Sequence, residues 1–342
     1  MSGSKAEGVT FGEALARSGG QRRHLLLGNG FSLSLHNAFG YPALFEEAVQ
    51  QDPSLRTLFA PGQTNCEVAL AACADPADAR RIRRGLIKAV SAVHPQNSLN
   101  LTEPQCRSCW DFLAHFVGRE RSGLGTIHTT NYDLLLHWVL SRQGKRPGTK
   151  QYSPLRCRDG FTPDGEWSPR EVASHVFYLH GAVHIFQRPH PYLAGQTATG
   201  MLRYTFGRRL TKQVELKIAA GEYPVFIAEG SCEAKRRRIR QLKYLRDAHH
   251  QFRAVLRNPS NALFTFGHSF GASDDHIAKH IADGTVGDVY IAAYSDEDER
   301  RACELSDLWN EARVLHERPP VRVRYFHPSE CAVWSRYDAA AA

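Results

Sequence analysis

At 342 residues, 42% hydrophobic and 23% charged, the chain has the composition of an ordinary globular protein and can bury a full core in one large α/β domain or two smaller ones. Its apolar runs are far too short to span a bilayer, and the first twenty residues lack the apolar core of a signal peptide, so a cytoplasmic protein with no membrane partner is expected. A net charge of +8 favours encounters with polyanions.

In chain order, residues 1–20 read as a loosely ordered N-terminus. Leu25 to Leu27 form a short apolar run without polar alternation, the pattern of a parallel strand covered on both faces. The run enters Gly28-Asn29-Gly30-Phe31-Ser32, where Gly28 and Gly30 permit positive φ and leave no Cβ between the backbone and a ligand. Such a turn after a first strand can hold a dinucleotide pyrophosphate, although Leu33 stands where the third glycine of G-x-G-x-x-G belongs. Helices are expected over 42–50, 65–74, 77–93 and 104–118, the last carrying Trp110, Phe112, Leu113 and Phe116 inward. A second strand over 124–130 and a helix over 133–140 follow.

Residues 141–174 are rich in Gly, Pro, Arg and Asp and read as an insertion, and a further one is expected near 187–222. Strands are expected at 176–179, 224–228, 262–267 and 286–293. Helices near 208–220, at 274–282 and over 296–316, with an edge strand at 321–326, complete the set. The basic run Lys235 to Arg246 carries Ile239, Leu242 and Leu245 at helical spacing, so its charges read as the solvated face of one amphipathic helix. Nucleic acid is therefore not an expected partner. Alternating strands and helices imply an α/β, Rossmann-like, mostly parallel sheet with helices on both faces. The eight cysteines are scattered as reduced thiols, and the single C-x-x-C pair, Cys106 and Cys109, falls short of a zinc site. No metal is expected.

In a parallel sheet, ligands bind beyond the carboxyl ends of the strands. Four expected strands end in polar sequence there: Gly28 to Ser32, then His128 to Asp133, then His180-Gly181, then Gly267-His268-Ser269. Each segment alone has a structural reading. Thr129 or Thr130 could cap a helix, Asp133 could favour a helix N-terminus, and His180 could be a bonded core histidine. Together at one sheet edge they point to a ligand site.

In that order, the Gly-Asn-Gly-Phe-Ser turn, Thr129-Thr130-Asn131-Tyr132-Asp133, Leu179-His180-Gly181 and Gly267-His268-Ser269 resemble the sirtuin-like NAD-binding proteins of bacteria, including those of phage defence. Tyr41 to Glu47, Tyr223 to Gly230 and Gly267 to Ile277 resemble one branch of them, and the likeness spans about residues 20–330, a single domain followed by a tail over 331–342. The resemblance implies NAD+ as the substrate, with Asn131 and His180 catalytic. It places Asp133 near the nicotinamide amide, Gly28, Asn29, Gly30 and Ser32 at the pyrophosphate, and Gly267 with Ser269 at the adenosine ribose. Phe31, Thr130 and His268 complete the implied contact set.

The residue types suit cleavage of an N-glycosidic bond. An asparagine amide can orient a water or a ribose hydroxyl, and a histidine titrating near neutrality can act as general base. Deacylating sirtuins carry a zinc module with two C-x-x-C pairs, which this sequence lacks, and glutamine where it has Thr130. The sequence therefore points to an NAD+ glycohydrolase releasing nicotinamide and ADP-ribose or a cyclic product, as a bacterial defence effector with a homo-oligomer or a defence-system protein as partner. The alternative is a non-catalytic NAD or ADP-ribose module. Protein deacylation and nucleic-acid association rank lower.

Overall fold

The computed structural model describes residues 6–94, 101–118, 125–142, 155, 157–162, 165–168, 174–189, 197–203 and 209–334. The N-terminal half runs β1 (Glu7–Gly8), α1 (Phe11–Arg17), β2 (Arg22–Leu27), α2 (Gly30–Leu33), α3 (Tyr41–Gln51), α4 (Cys66–Ala72), α5 (Pro76–Val93), α6 (Glu103–Val117), β3 (Ile127–Thr129) and α7 (Leu135–Ser141). There follow β4 (Val176–Tyr178), β5 (Gly181–Pro189), β6 (Thr197–Met201), α8 (Leu210–Ala219), β7 (Pro224–Phe226), α9 (Cys232–Gln241) and α10 (Lys243–Leu256). The chain closes with β8 (Asn261–Phe266), α11 (Asp275–Ala282), β9 (Asp288–Ala292), α12 (Asp296–Leu315) and β10 (Arg322–Phe326).

Seven strands form one parallel sheet in the order β1-β10-β9-β8-β2-β3-β4. From β2 the chain moves outward to β3 and β4, then returns to the other side of β2 and continues through β8, β9 and β10. The reversal lies between β2 and β8, where a Rossmann-like sheet opens its crevice. Both strands are central, and Leu25, Leu26, Leu27 and Phe264 are fully enclosed. That burial explains why these runs show no polar alternation.

Helix boundaries follow local signals. Asp75 caps α5, accepting from the Ala77 N–H, and Thr102 with Gln105 forms a capping box on α6. Among the described residues, no helix is long and apolar enough to cross a membrane.

The structure departs from the sequence expectations in three places. Residues 7–17 are not loose. Thr10 and Glu13 form a capping box on α1, and β1 pairs with β10, so the strand expected at the edge is covered. Residues 181–201 hold β5 and β6, which join β7 in a separate antiparallel sheet of order β6-β5-β7. The strand at 224 therefore does not belong to the parallel sheet. The basic run is two helices, because Leu242 adopts an extended conformation (φ −105°, ψ 120°) between α9 and α10. Most of the expected insertion at 141–174 and the tail beyond Trp334 lie outside the described residues. Trp334 itself is buried against Phe31, with ring centroids 5.0 Å apart.

Candidate functional site

The turn after β2 and the turn after β8 interlock at the switch point. Gly28 N–H donates to the Phe266 carbonyl and Gly30 N–H to that of Gly267, each at 2.9 Å. A Cβ on Gly30 would stand 2.5 Å from the Gly267 Cα, and Gly267 has φ +69°. The two glycines let one backbone lie directly on the other. The remaining turn N–H groups also close on protein oxygens: Phe31 donates to Gly28, and Ser32 and Leu33 to Asn29.

At these turns is a cavity of about 540 Å³, bordered by the ends of β2, β3, β4 and β8, by the start of α3 and the residues just before it, and by Glu67 of α4. Nine of the twelve residues singled out in the sequence border it: Asn29, Gly30, Thr130, Asn131, Asp133, His180, Gly267, His268 and Ser269. The other three lie behind its wall. Gly28 packs on the Gly267 carbonyl, and Phe31 is enclosed by Trp334, whose Nε1 donates to the Phe31 carbonyl at 2.8 Å. Ser32 is fully buried and acts as a strut. Asn131 Nδ2 donates to Ser32 Oγ at 3.1 Å, and Ser32 Oγ donates to Asp133 Oδ2 at 2.5 Å. Asp133 Oδ1 in turn accepts the Leu135 N–H at 2.8 Å, so this carboxylate anchors both Ser32 and the start of α7. Burial raises the Asp133 pKa, opposed by these two hydrogen bonds.

His180 follows β4 and is almost wholly enclosed. Its Nε2 lies 3.1 Å from His276 Nε2 and 3.7 Å from Asp274 Oδ1. Burial, then the charge of Lys235 and the neighbouring His249 and His268, push its pKa well below 6.5. Against the expectation of a histidine titrating near neutrality, burial and the neighbouring Lys235 disfavour the protonated form of His180. His268 Nδ1 accepts the Phe270 N–H at 3.1 Å, which leaves the ring proton on Nε2. That Nε2 is buried, has no hydrogen-bond partner among the described residues and stands 3.9 Å from Asp274 Oδ2.

The largest correction concerns the basic run. Lys235 points inward with no exposed surface, its Nζ 2.8 Å from Glu67 Oε2 and 2.6 Å from Asp274 Oδ1. Glu67 and Asp274 both border the cavity, and Tyr41 OH lies 3.5 Å from Glu67 Oε1. Burial would lower the Lys235 pKa, but the two carboxylates outweigh it and raise it. Asp274, which burial would raise, is held low by Lys235, while Glu67 is raised by its deeper enclosure. The Lys235 ammonium thus stands between a carboxyl held toward its charged form, Asp274, and one pushed toward its neutral form, Glu67. His180, Asp274 and His276 also bring ligand atoms within 4.8 Å of one another, and Lys235 Nζ lies 2.6 Å from Asp274 Oδ1.

Glu67, Lys235 and Tyr41 were not singled out as site residues by the sequence. Only their side-chain convergence marks them. A fully buried lysine on a helix otherwise rich in exposed arginines is a signal of tertiary structure, because helical periodicity does not tell which cation will find a buried partner.

A parallel sheet with a ligand-sized cavity over its switch point makes this an α/β protein of the Rossmann-like class. The chain belongs to the family described as "Domain of unknown function (DUF4917)", whose model matches residues 70–334. Among solved structures it is similar to one titled "Crystal structure of a Sir2 homolog-NAD complex", at 12% identity and a TM-score of 0.34, over 92% of this chain and 97% of that one. No curated protein matches the sequence.

Proposed function

We propose that the protein is an NAD+ glycohydrolase with a sirtuin-like site. The observation that supports this most directly is that Asn131 and His180, the two residues implied as catalytic by the ordered motifs, border one cavity with Asn29, Gly30 and Gly267 to Ser269. In the proposed reaction the bond between ribose C1′ and nicotinamide N1 breaks. Nicotinamide leaves with the electron pair, which discharges its pyridinium ring. A water oxygen bonds to C1′, and its proton passes to neutral His180 and then to solvent, giving ADP-ribose, nicotinamide and one proton.

With Asn131 Nδ2 committed to Ser32, its Oδ1 is the acceptor that would orient the water. The carboxyl oxygens of Asp274 and Glu67, which border the cavity, would favour the cationic ring and the oxocarbenium-like centre. The buried Nε2–H of His268 is a donor suited to a ribose hydroxyl. Because the N–H groups of Gly30 to Leu33 already have protein acceptors, the diphosphate would rest on the Asn29 and Ser269 rim and not on the short α2. Bacterial defence is the setting suggested by the resemblance, with a defence-system partner or self-assembly as the trigger.

The test is nicotinamide release from NAD+ by the purified protein, alone and assembled. Activity in the wild type, with losses of about 10²-fold or more in Asn131→Ala and His180→Ala, is expected. ADP-ribose binding without release in any state would reassign the cavity to a non-catalytic module.

A further inference from the structure

A second cleft, of about 220 Å³, lies behind His180, between α9, α10 and α11. Its lining includes Arg236, Arg253, Arg257 and Lys279, with His276 and His280, against one carboxylate, Asp283. His276 is common ground: its ring lines this cleft while its Nε2 contacts His180 Nε2 at 3.1 Å, the edge of the main cavity.

The charge in the cleft is incompletely balanced. Arg236 lies 3.6 Å from Asp275, and Lys279 lies 3.3 Å from Asp283, which Arg318 approaches as well at 3.4 Å. Arg253 and Arg257 have no carboxylate partner among the described residues. Arg253 lies in the last turn of α10 and Arg257 caps that helix in helical conformation, so the two stand i and i+4 on one face and repel each other. The negative end of α10 would draw one cation to its last turn. It does not account for cations from three helices facing a single concavity. Planar guanidinium forks in such an arrangement match the oxygen geometry of phosphate. The cleft is well below the size of a typical ligand pocket, and one or two phosphate groups suit it better than a whole dinucleotide.

We propose that this cleft is a second binding site, for the phosphate or diphosphate group of a small molecule, with Arg253 and Arg257 as its principal ligands and His276 as the wall it shares with the main cavity. The site is independent of the reaction assigned to that cavity. An anion seated there would draw a positive charge toward His276, and His276 is the residue through which such a ligand would reach His180.

Calorimetric titration with inorganic pyrophosphate, paired with imidazole NMR of the full chain, tests the assignment. The wild type should bind pyrophosphate at low ionic strength and more weakly as salt rises. The double variant R253A/R257A, altered only at exposed positions, should bind at least about tenfold more weakly, as expected for losing charge-assisted hydrogen bonds. Pyrophosphate should shift the imidazole signals of His276 and His280, identified with His276→Gln and His280→Gln. Absence of binding by the wild type at low ionic strength would overturn the proposal. So would binding that R253A/R257A leaves unchanged, or shifts confined to His268 and the main cavity.

Discussion

Replacing Lys235 with methionine keeps most of the side-chain volume and removes one buried cation from between two carboxylates. Lys235 Nζ sits 2.6 Å from Asp274 and 2.8 Å from Glu67, and the residue has no exposed surface. Removing one partner of a buried ion pair leaves uncompensated charge and costs about 3–5 kcal/mol, or between roughly 10² and 10⁴ in the folding equilibrium. The loss should appear as a lower urea midpoint at unchanged slope. It should also depend on pH with a definite sign. In K235M both carboxylates acquire folded-state pKa values above their unfolded ones, so the folded variant binds extra protons as pH falls. The gap to wild type therefore narrows from about pH 7 to about pH 5. Neutralising all three positions, in E67Q/K235M/D274N, should recover most of the loss, since no buried charge remains. A penalty under about 1 kcal/mol, or one equal at both pH values, would refute the electrostatic account.

Two further outcomes follow from the same structure. Burial lowers the pKa of His24 to about 4 and of His94 and His249 to about 3, from 6.5. The unfolded chain thus takes up protons below 6.5 that the folded chain refuses. Stability should fall with pH by roughly 1.4 kcal/mol per unit for each such histidine until the folded pKa is approached. Urea midpoints that stay level from about pH 6.5 to about 4.5 would contradict this. Gly267→Ala should cost about 2 kcal/mol or more, because the position has φ +69° and the new Cβ would meet the Gly30 Cα at 2.5 Å. Thermal unfolding unchanged by G267A would show that the two turns do not interlock as described.

Much of the architecture was legible because its causes are local. A strand buried on both faces must be apolar throughout, so 25–27 and 262–267 stood out, and helix periods and caps bounded α5, α6 and α12 to within a few residues. The polar ends of four strands were also visible, and the parallel sheet brings most of them to one cavity. Less legible was anything carried by a distant partner. Phe31 and Ser32 lie in the same short turn as Asn29, yet one is sealed by Trp334 and the other bridges Asn131 and Asp133.

What the sequence determined by itself was the α/β class and which polar strand ends lie at the cavity, since short-range hydrophobic pattern sets strands and helices. What the tertiary structure decided was which charges face inward. Lys235 reads as one solvated cation among many until α4 delivers Glu67, 168 residues away in the chain, and the turn before α11 delivers Asp274. Lys235 enters the core where folding supplies its counter-charges, and helical spacing holds no record of those partners.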